Sequence, residues 1–172
     1  MKYIEMVIVA DLSMHQKYGK NTTSLKNKVH EMVNVMNMDF NSLNISVVLV
    51  GFEIWDNKDQ FEVSASPWQT LKQFSLWRME NLVPRKEHDN AQFITNIDFE
   101  GITVGLGNVG LMCSEMYSTG IVQDHSTSAI DIGATLVHEV GHNLGMSHDD
   151  KNCSCPSGPC IMDPFLRYGQ KC

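Results

Sequence analysis

The sequence predicts a single α/β domain in which strands and amphipathic helices alternate along the chain. Two apolar runs rich in Ile and Val, 3–10 and 45–55, are typical of buried strands. Between them, the segment 24–43 places its apolar side chains three or four residues apart, which is the period of a long amphipathic helix. With 172 residues the chain is long enough to bury a substantial core. Alternating elements of this kind indicate a sheet covered by helices.

The strand at 45–55 is expected to be covered on both faces, because Val48 and Val50 are apolar as well as their neighbours. Two shorter strands are predicted at 91–97 and 102–106. The second of these is followed by a turn-prone stretch that contains two glycines. These runs supply further strands for the same sheet.

A second helix is predicted to begin at Ser66. Serine is a favoured N-cap, Pro67 suits the first helical position, and Gln69 follows the cap by three residues. Pro84 prevents the helix from continuing. The expected buried face consists of four apolar residues: Leu71, Phe74, Trp77 and Leu82.

The strongest chemical signal is a pair of histidines on a third predicted helix, 130–144. His138 and His142 are four residues apart, so they lie one turn apart on the same helix face and can bind one metal ion together. Glu139 follows the first histidine and is placed to reach a water molecule on that ion. This arrangement predicts a metal site with an acid–base residue beside it.

The motif continues beyond the helix as H-E-x-x-H-x-x-G-x-x-H, which is the metzincin signature. Gly145 can adopt a left-handed backbone, so the helix can end there and the chain can bring His148 back as a third ligand. Three neutral imidazoles leave zinc an open coordination position, which is typical of a catalytic rather than a structural site. Met162, in the run 160–162, is the candidate for the Met-turn that follows this motif.

Charge and hydropathy exclude other classes of function. The formal net charge of −7 provides no basic field for nucleic acid, and no apolar run is long enough to cross a bilayer. We expect a monomer that contacts a membrane only through segments outside this chain. Because no secretion signal opens the sequence, we expect that a leader has been removed or that the chain is a fragment.

The cysteines favour an oxidising compartment. Their spacing near the C-terminus fits no standard zinc module, so disulfide bonds are the preferred interpretation. This predicts an extracellular protein or the ectodomain of a cell-surface protein. Four of the five cysteines crowd the C-terminal end: Cys153, Cys155, Cys160 and Cys172.

The chain as a whole resembles the catalytic domains of the adamalysin (reprolysin) branch of the metzincins, found in snake-venom metalloproteinases and ADAM proteins. The motifs that carry the resemblance are the runs 3–11, 88–92 and 120–126, and Asp149 after the third histidine. The resemblance implies a metzincin (zincin-like) fold, with a twisted, mixed five-stranded sheet and helices over a small irregular C-terminal subdomain. We expect one catalytic domain over 1–172, with an upper subdomain 1–144 and a shortened lower subdomain 145–172.

The resemblance also implies an activity. Members are zinc-dependent endopeptidases that cleave extended peptide segments of extracellular or cell-surface proteins. One zinc ion would be held by the three histidines, with Glu139 as general base and Met162 in a turn beneath the imidazoles. The substrate would add a strand to the sheet edge formed by three residues: Gly105, Leu106 and Gly107.

Family disulfides and a family calcium site carry over only in part. The implied bridges are Cys155–Cys160 and Cys153–Cys172, which leave Cys113 free unless Cys172 pairs with it instead. Calcium needs six or more oxygen ligands, and the remaining family ligands have no counterpart in this chain, so zinc is the expected cofactor. The two residues that match the incomplete calcium site are Glu5 and Asp89.

A second interpretation belongs to a different class of protein. The shortened C-terminal region leaves open a zinc-binding but catalytically impaired fragment that acts by binding alone. The other histidines lack ligand spacing and are expected to be surface or hydrogen-bonded residues. They are His15, His30, His88 and His125.

Overall fold

The computed structural model describes residues 2–156 and 159–165. The predicted partner Cys172 therefore lies outside the described residues. The strands are β1 (Lys2–Ala10), β2 (Ile45–Ile54), β3 (Asn90–Thr95), β4 (Gly105–Gly107) and β5 (Thr119–Gln123). The helices are α1 (Leu12–Lys17), α2 (Thr22–Phe40), α3 (Pro67–Trp77) and α4 (Ala129–Asn143). A 3₁₀ turn, Asn41–Leu43, follows α2, and a π-helical segment, Arg78–Leu82, continues α3.

The five strands form one mixed sheet in the order β2-β1-β3-β5-β4. All neighbouring pairs are parallel except β4, which runs antiparallel to β5 along one edge. The predicted α/β class with a mixed five-stranded sheet is confirmed. None of the helices in the described part of the chain is long and apolar enough to cross a membrane.

Each face of the sheet packs against its own set of helices. Side chains alternate along β1, so Met6 and Ile8 enter the core formed with α2 and α4, while Val7 and Val9 face the aromatic cluster of α3. The four residues predicted as the buried face of α3 all belong to this second cluster. The sheet is therefore a central layer, and α4 is held by packing against both α2 and the sheet.

Three local predictions were wrong. Residues 102–104, expected to belong to a strand at 102–106, lie outside the strand, and β4 begins only at Gly105. Helix α3 begins where expected, with Pro67 in its first turn, but the Ser66 side chain makes no capping hydrogen bond. Thr70 instead accepts from the backbone N–H of Ser64 and donates to the carbonyl of Ser64. Strand β2 is the other sheet edge and is not covered on both faces throughout, because Val48 is 42% exposed.

Candidate metal centre and cleft

Helix α4 and the turn after it position all three motif histidines. Ser128 caps the helix by accepting a hydrogen bond from the N–H of Ile130. At the other end, Gly145 adopts φ +99°, a backbone conformation that side chains with a Cβ rarely reach. The N–H of Met146 then bonds to the carbonyl of Gly141, and the reversed chain carries His148 back toward the helix.

The imidazoles of the three histidines converge on one point. Nε2 of His148 lies 3.2 Å from Nε2 of His138 and 3.0 Å from Nε2 of His142. Zinc binds imidazole nitrogens at about 2.0–2.1 Å in tetrahedral geometry, which places two such nitrogens roughly 3.3 Å apart. The donor atoms therefore fit a zinc ion.

Backbone carbonyls orient two of these rings. Nδ1 of His138 donates to the carbonyl of Ile161 over 2.7 Å, and Nδ1 of His142 donates to the carbonyl of Met146 over 2.8 Å. With Nδ1 protonated, Nε2 of each ring keeps its lone pair for the metal. Burial lowers the pKa of His138 to about 4 and also lowers the pKa of His142. Both rings are therefore neutral at pH 7, as metal ligands must be.

Glu139 lies beside the histidines in a buried position. Its side chain is 3% exposed, and Oε2 has no hydrogen-bond partner among the described residues. In the metal-free chain, burial raises the pKa of Glu139 to about 8, and a cation held by the three imidazoles would lower it again. The residue is packed under β4, where Gly105 and Gly107 lie so close that a Cβ on either would contact Glu139. A buried carboxyl group without a partner, next to three convergent imidazoles, suits a proton-transfer role better than a structural one.

The segment that follows the turn packs beneath α4. Met162 is 5% exposed, and its Sδ lies where a Cβ on Gly141 would approach within 2.7 Å. The carbonyl of Met162 accepts a hydrogen bond from the N–H of Asp149, just after the third histidine. The candidate Met-turn is therefore in contact with the helix that carries the first two histidines.

Among the described residues, one disulfide bond joins two of the C-terminal cysteines, Cys155 and Cys160. Sγ of Cys153 lies 3.6 Å from Sγ of Cys160 and has no disulfide bond within the described residues. The three sulfur atoms are close enough to share an ion, but two of them are consumed by the disulfide and cannot act as thiolate ligands.

An open cleft of about 1000 Å³ runs past the histidines and Glu139. Strand β4 forms one wall, so the predicted edge residues Gly105, Leu106 and Gly107 all line it. One face of α4 lines it as well, together with Pro164 and Phe165 from the segment after the third histidine. The cleft brings the metal-binding atoms and an unpaired sheet edge together, which allows an extended chain to lie across the metal site.

The buried side-chain amide of Asn143, which the sequence did not predict as part of the site, links the end of α4 to the sheet. Asn143, at the end of α4, donates to the carbonyls of Asn108 and Thr119 and accepts from the side chains of Asn90 and Gln92. Asn143 is fully buried, so all of its hydrogen-bonding capacity is used inside the protein. Its partners are distant in sequence, and only its place directly after His142 could have drawn attention to it.

The residues proposed for calcium are only partly brought together. Oδ2 of Asp89 accepts a hydrogen bond from the backbone N–H of Glu5 over 2.8 Å, and the Glu5 side chain is exposed. Sγ of Cys113 lies 3.7 Å from Oδ1 of Asp89, and Cys113 has no disulfide bond in the described part of the chain. The Asp89 carboxylate therefore links β1 to the segment just before β3.

Of the four other histidines, only one lines the cleft. His88 accepts a hydrogen bond from Nε of the buried Arg78. His30 is exposed, as predicted. His15 is buried, and its Nδ1 has no hydrogen-bond partner among the described residues, so the prediction for His15 was wrong. His125 lines the cleft, where Nε2 lies 3.0 Å from Oγ1 of Thr135. The preceding Asp124 is held by Lys17 and Tyr18, so it forms no dyad with His125.

Comparisons with known proteins agree with this geometry. The family model described as "Reprolysin (M12B) family zinc metalloprotease" matches residues 2–171. Snake venom metalloproteinase atroxlysin-1 from Bothrops atrox is 44% identical over 167 residues, which cover 97% of this chain and 83% of that protein. A solved structure described as "Structure of a chaperone-substrate complex" matches 95% of this chain and 28% of its own, with a TM-score of 0.75 and 20% identity. That last likeness is one of fold alone. With its histidine triad and its family match over nearly the whole length, the chain belongs to the reprolysin (M12B) family of zinc metalloendopeptidases.

Proposed function

We propose that this chain cleaves extended peptide segments of extracellular or cell-surface proteins, with Glu139 as general base. The observation that carries the proposal is the convergence of three imidazoles beside a buried, unpartnered carboxyl group in an open cleft. The zinc ligands are His138, His142 and His148. When bound there, zinc polarises a peptide carbonyl and lowers the pKa of a water molecule toward about 7.

Glu139 moves the proton. Its carboxylate takes a proton from the attacking water and later gives it to the nitrogen of the departing amine. Such general acid–base catalysis contributes typically about 10²- to 10⁴-fold in rate. Gly105 and Gly107 lie against Glu139 and limit the positions that its carboxyl group can take.

The remaining residues bind the substrate or support the metal site. The outer edge of β4 (Gly105–Gly107) has no neighbouring strand in the described sheet, so it can hydrogen-bond to a substrate strand. Met162 supplies an apolar contact beneath α4.

The cleft lies between an upper subdomain, 1–144, and a lower one, 145–172, of a single monomeric domain. A secreted or ectodomain location fits the Cys155–Cys160 disulfide, because such bonds persist in oxidising compartments.

The test is cleavage of a quenched generic peptide by the purified chain, together with metal analysis. We expect one zinc per chain, cleavage that a chelator abolishes, and loss of cleavage with retained zinc in Glu139→Gln. The matched control is Glu80→Gln, which removes the same charge from an exposed residue outside the cleft. Undiminished cleavage by Glu139→Gln would refute the general-base assignment. One zinc without cleavage by the unaltered chain would instead favour a protein that acts by binding.

A further inference from the structure

Asp131 lies on the face of α4 that carries the metal-binding histidines. The side chains of Asp131, Thr135, His138 and His142 are spaced by four, three and four residues, so they form one stripe along the helix. Asp131, His138 and His142 all line the same cleft. Seven residues of helix correspond to about 10 Å, so Asp131 lies roughly that far along the cleft from His138.

This end of the cleft faces the beginning of β4. The N–H of Gln123 donates to the carbonyl of Val104, which places the start of β4 beside the segment that leads from β5 into α4. At the opposite end, the N–H of Gly110 donates to the carbonyl of His142. Strand β4 and helix α4 therefore run in the same direction, and a peptide added to β4 passes over Asp131 on one side of the scissile bond.

Only one oxygen of the Asp131 carboxylate accepts a hydrogen bond from the described residues. Oδ2 accepts a hydrogen bond from Oγ of Ser126 over 2.7 Å, and Oδ1 has no partner among the described residues. No lysine or arginine is present among the described residues that line the cleft. Burial lowers the pKa of the neighbouring His125, which disfavours a compensating positive charge on that ring.

Exposed apolar side chains form the other wall at this end. Trp68 is 71% exposed and Ile102 is 78% exposed, and both line the cleft. They come from adjoining segments, since the N–H of Glu100 bonds to the carbonyl of Ala65, just before α3. Lysine and arginine side chains suit such a place, because their apolar stems cover apolar surface while their charged heads reach a carboxylate or an indole face.

We propose that Asp131 is a specificity-determining residue that selects a lysine or arginine side chain about three residues from the scissile bond. The distance follows from the rise of roughly 3.3 Å per residue in an extended chain. The Asp131 carboxylate binds the cationic head, and Trp68 and Ile102 contact the stem. This inference deepens the proposed peptidase function and rests on it for the placement of the substrate.

A purely structural role for Asp131 predicts a different behaviour. Asp131 is in the first turn of α4, where a negative charge interacts favourably with the helix dipole. Loss of that contribution would lower stability and would affect all substrates alike. Recognition of a basic side chain instead changes the ratio of two substrates that differ only in that side chain.

The experiment compares peptide pairs that carry either lysine or norleucine at one position, scanned over four residues on each side of the scissile bond. We expect the unaltered protein to prefer lysine at one position, centred on the third residue, by about fivefold in kcat/KM, the size of a partly exposed ion pair. Asp131→Asn should remove this preference, Asp131→Glu should retain it, and Asp131→Lys should favour glutamate there. High salt should weaken the preference of the unaltered protein.

Failure of the inference is separable from failure of the proposed function. Equal rates for every pair, or a lysine preference that persists in Asp131→Asn, would overturn the assignment of Asp131. If the unaltered protein cleaves neither peptide, the peptidase proposal fails by itself. The dissociation constants of the same peptides, measured by fluorescence anisotropy on the zinc-loaded protein, then decide the question for Asp131. The salt dependence is measured on the unaltered protein, so this test does not depend on whether any variant folds.

Discussion

Gly105 in the edge strand lies directly against the carboxyl group of Glu139 in α4. A Cβ built on Gly105 would overlap Oε1 of Glu139 and would lie 2.9 Å from its Cδ, which is closer than real Cβ contacts. The absence of a side chain at position 105 is therefore what allows the strand to cover the carboxyl group. Strand β4, which is proposed to bind substrate, therefore contacts Glu139, which is proposed to move the proton.

Replacing Gly105 with alanine should impair catalysis more than zinc binding. The added methyl group forces the carboxyl group of Glu139 to move, and a displacement of about 1 Å can cost around 100-fold in rate. We expect kcat/KM to fall by about that factor while zinc content stays at one per chain. The control is Gly51→Ala in β2, where the Cβ would meet a methyl group of Val7 at 3.2 Å, far from the cleft. Full activity in Gly105→Ala would contradict the proposed placement of Glu139.

Replacing His148 with alanine should remove zinc while leaving the fold intact. His148 is exposed after the Gly145 turn and contributes no core packing, but its Nε2 is within 3.2 Å of both other imidazoles. We expect zinc affinity to fall by more than the roughly 10- to 100-fold typical of losing an outer contact. The melting temperature of the zinc-free protein should not change, and the increase on adding zinc should disappear. Competition with a chelating dye measures the affinity, and unchanged affinity would exclude His148 as a ligand.

Replacing Asn143 with leucine should destabilise the protein strongly. The substitution keeps a similar size but leaves two carbonyls, of Asn108 and Thr119, and two amide donors, of Asn90 and Gln92, without their partner. A buried group left unsatisfied costs about 1–3 kcal/mol, and three of the four keep a second hydrogen bond, so we expect the free energy of unfolding to fall by about 3 kcal/mol. Urea unfolding measures this loss. A loss below about 1 kcal/mol would show that water replaces the amide.

Local periodicity and the metal motif were sufficient to predict three of the four helices, strands β1 to β4 and the convergence of the histidines, but strand β5 was missed. The helix 130–144 and the return of the chain after Gly145 were predictable because both depend on residues close together in sequence. Helix α1 was missed because it has only six residues, too few to show a period. It is held by its cap Asp11, whose Oδ1 accepts from the N–H of Met14.

Contacts between distant residues were beyond prediction from one sequence. The partners of Asn143 come from four separate positions between residues 90 and 119, and no pattern in the chain relates them. Ser66 shows the opposite error, since a good capping sequence does not guarantee the bond when Thr70 satisfies nearby backbone groups instead. The contact of Gly105 with Glu139 likewise depends on sheet order, which places β4 at the edge above α4.

The metal-free protein should lose stability as the pH rises from about 6.5 to 8. The pKa of Glu139 is raised from 4.5 to about 8 in the folded chain, so in this window the folded state binds a proton that the unfolded state has lost. The free energy of unfolding then falls with rising pH, by up to about 1.4 kcal/mol per pH unit for one proton. His138 acts in a separate window, because its pKa is lowered to about 4 and its contribution is lost only below about 6.5. Urea unfolding of chelator-treated protein at pH 6.5, 7.2 and 8 measures the slope, and Glu139→Gln should flatten it whereas Glu80→Gln should not. Equal slopes in Glu139→Gln and the unaltered protein would mean that the Glu139 carboxyl group is not held neutral by burial.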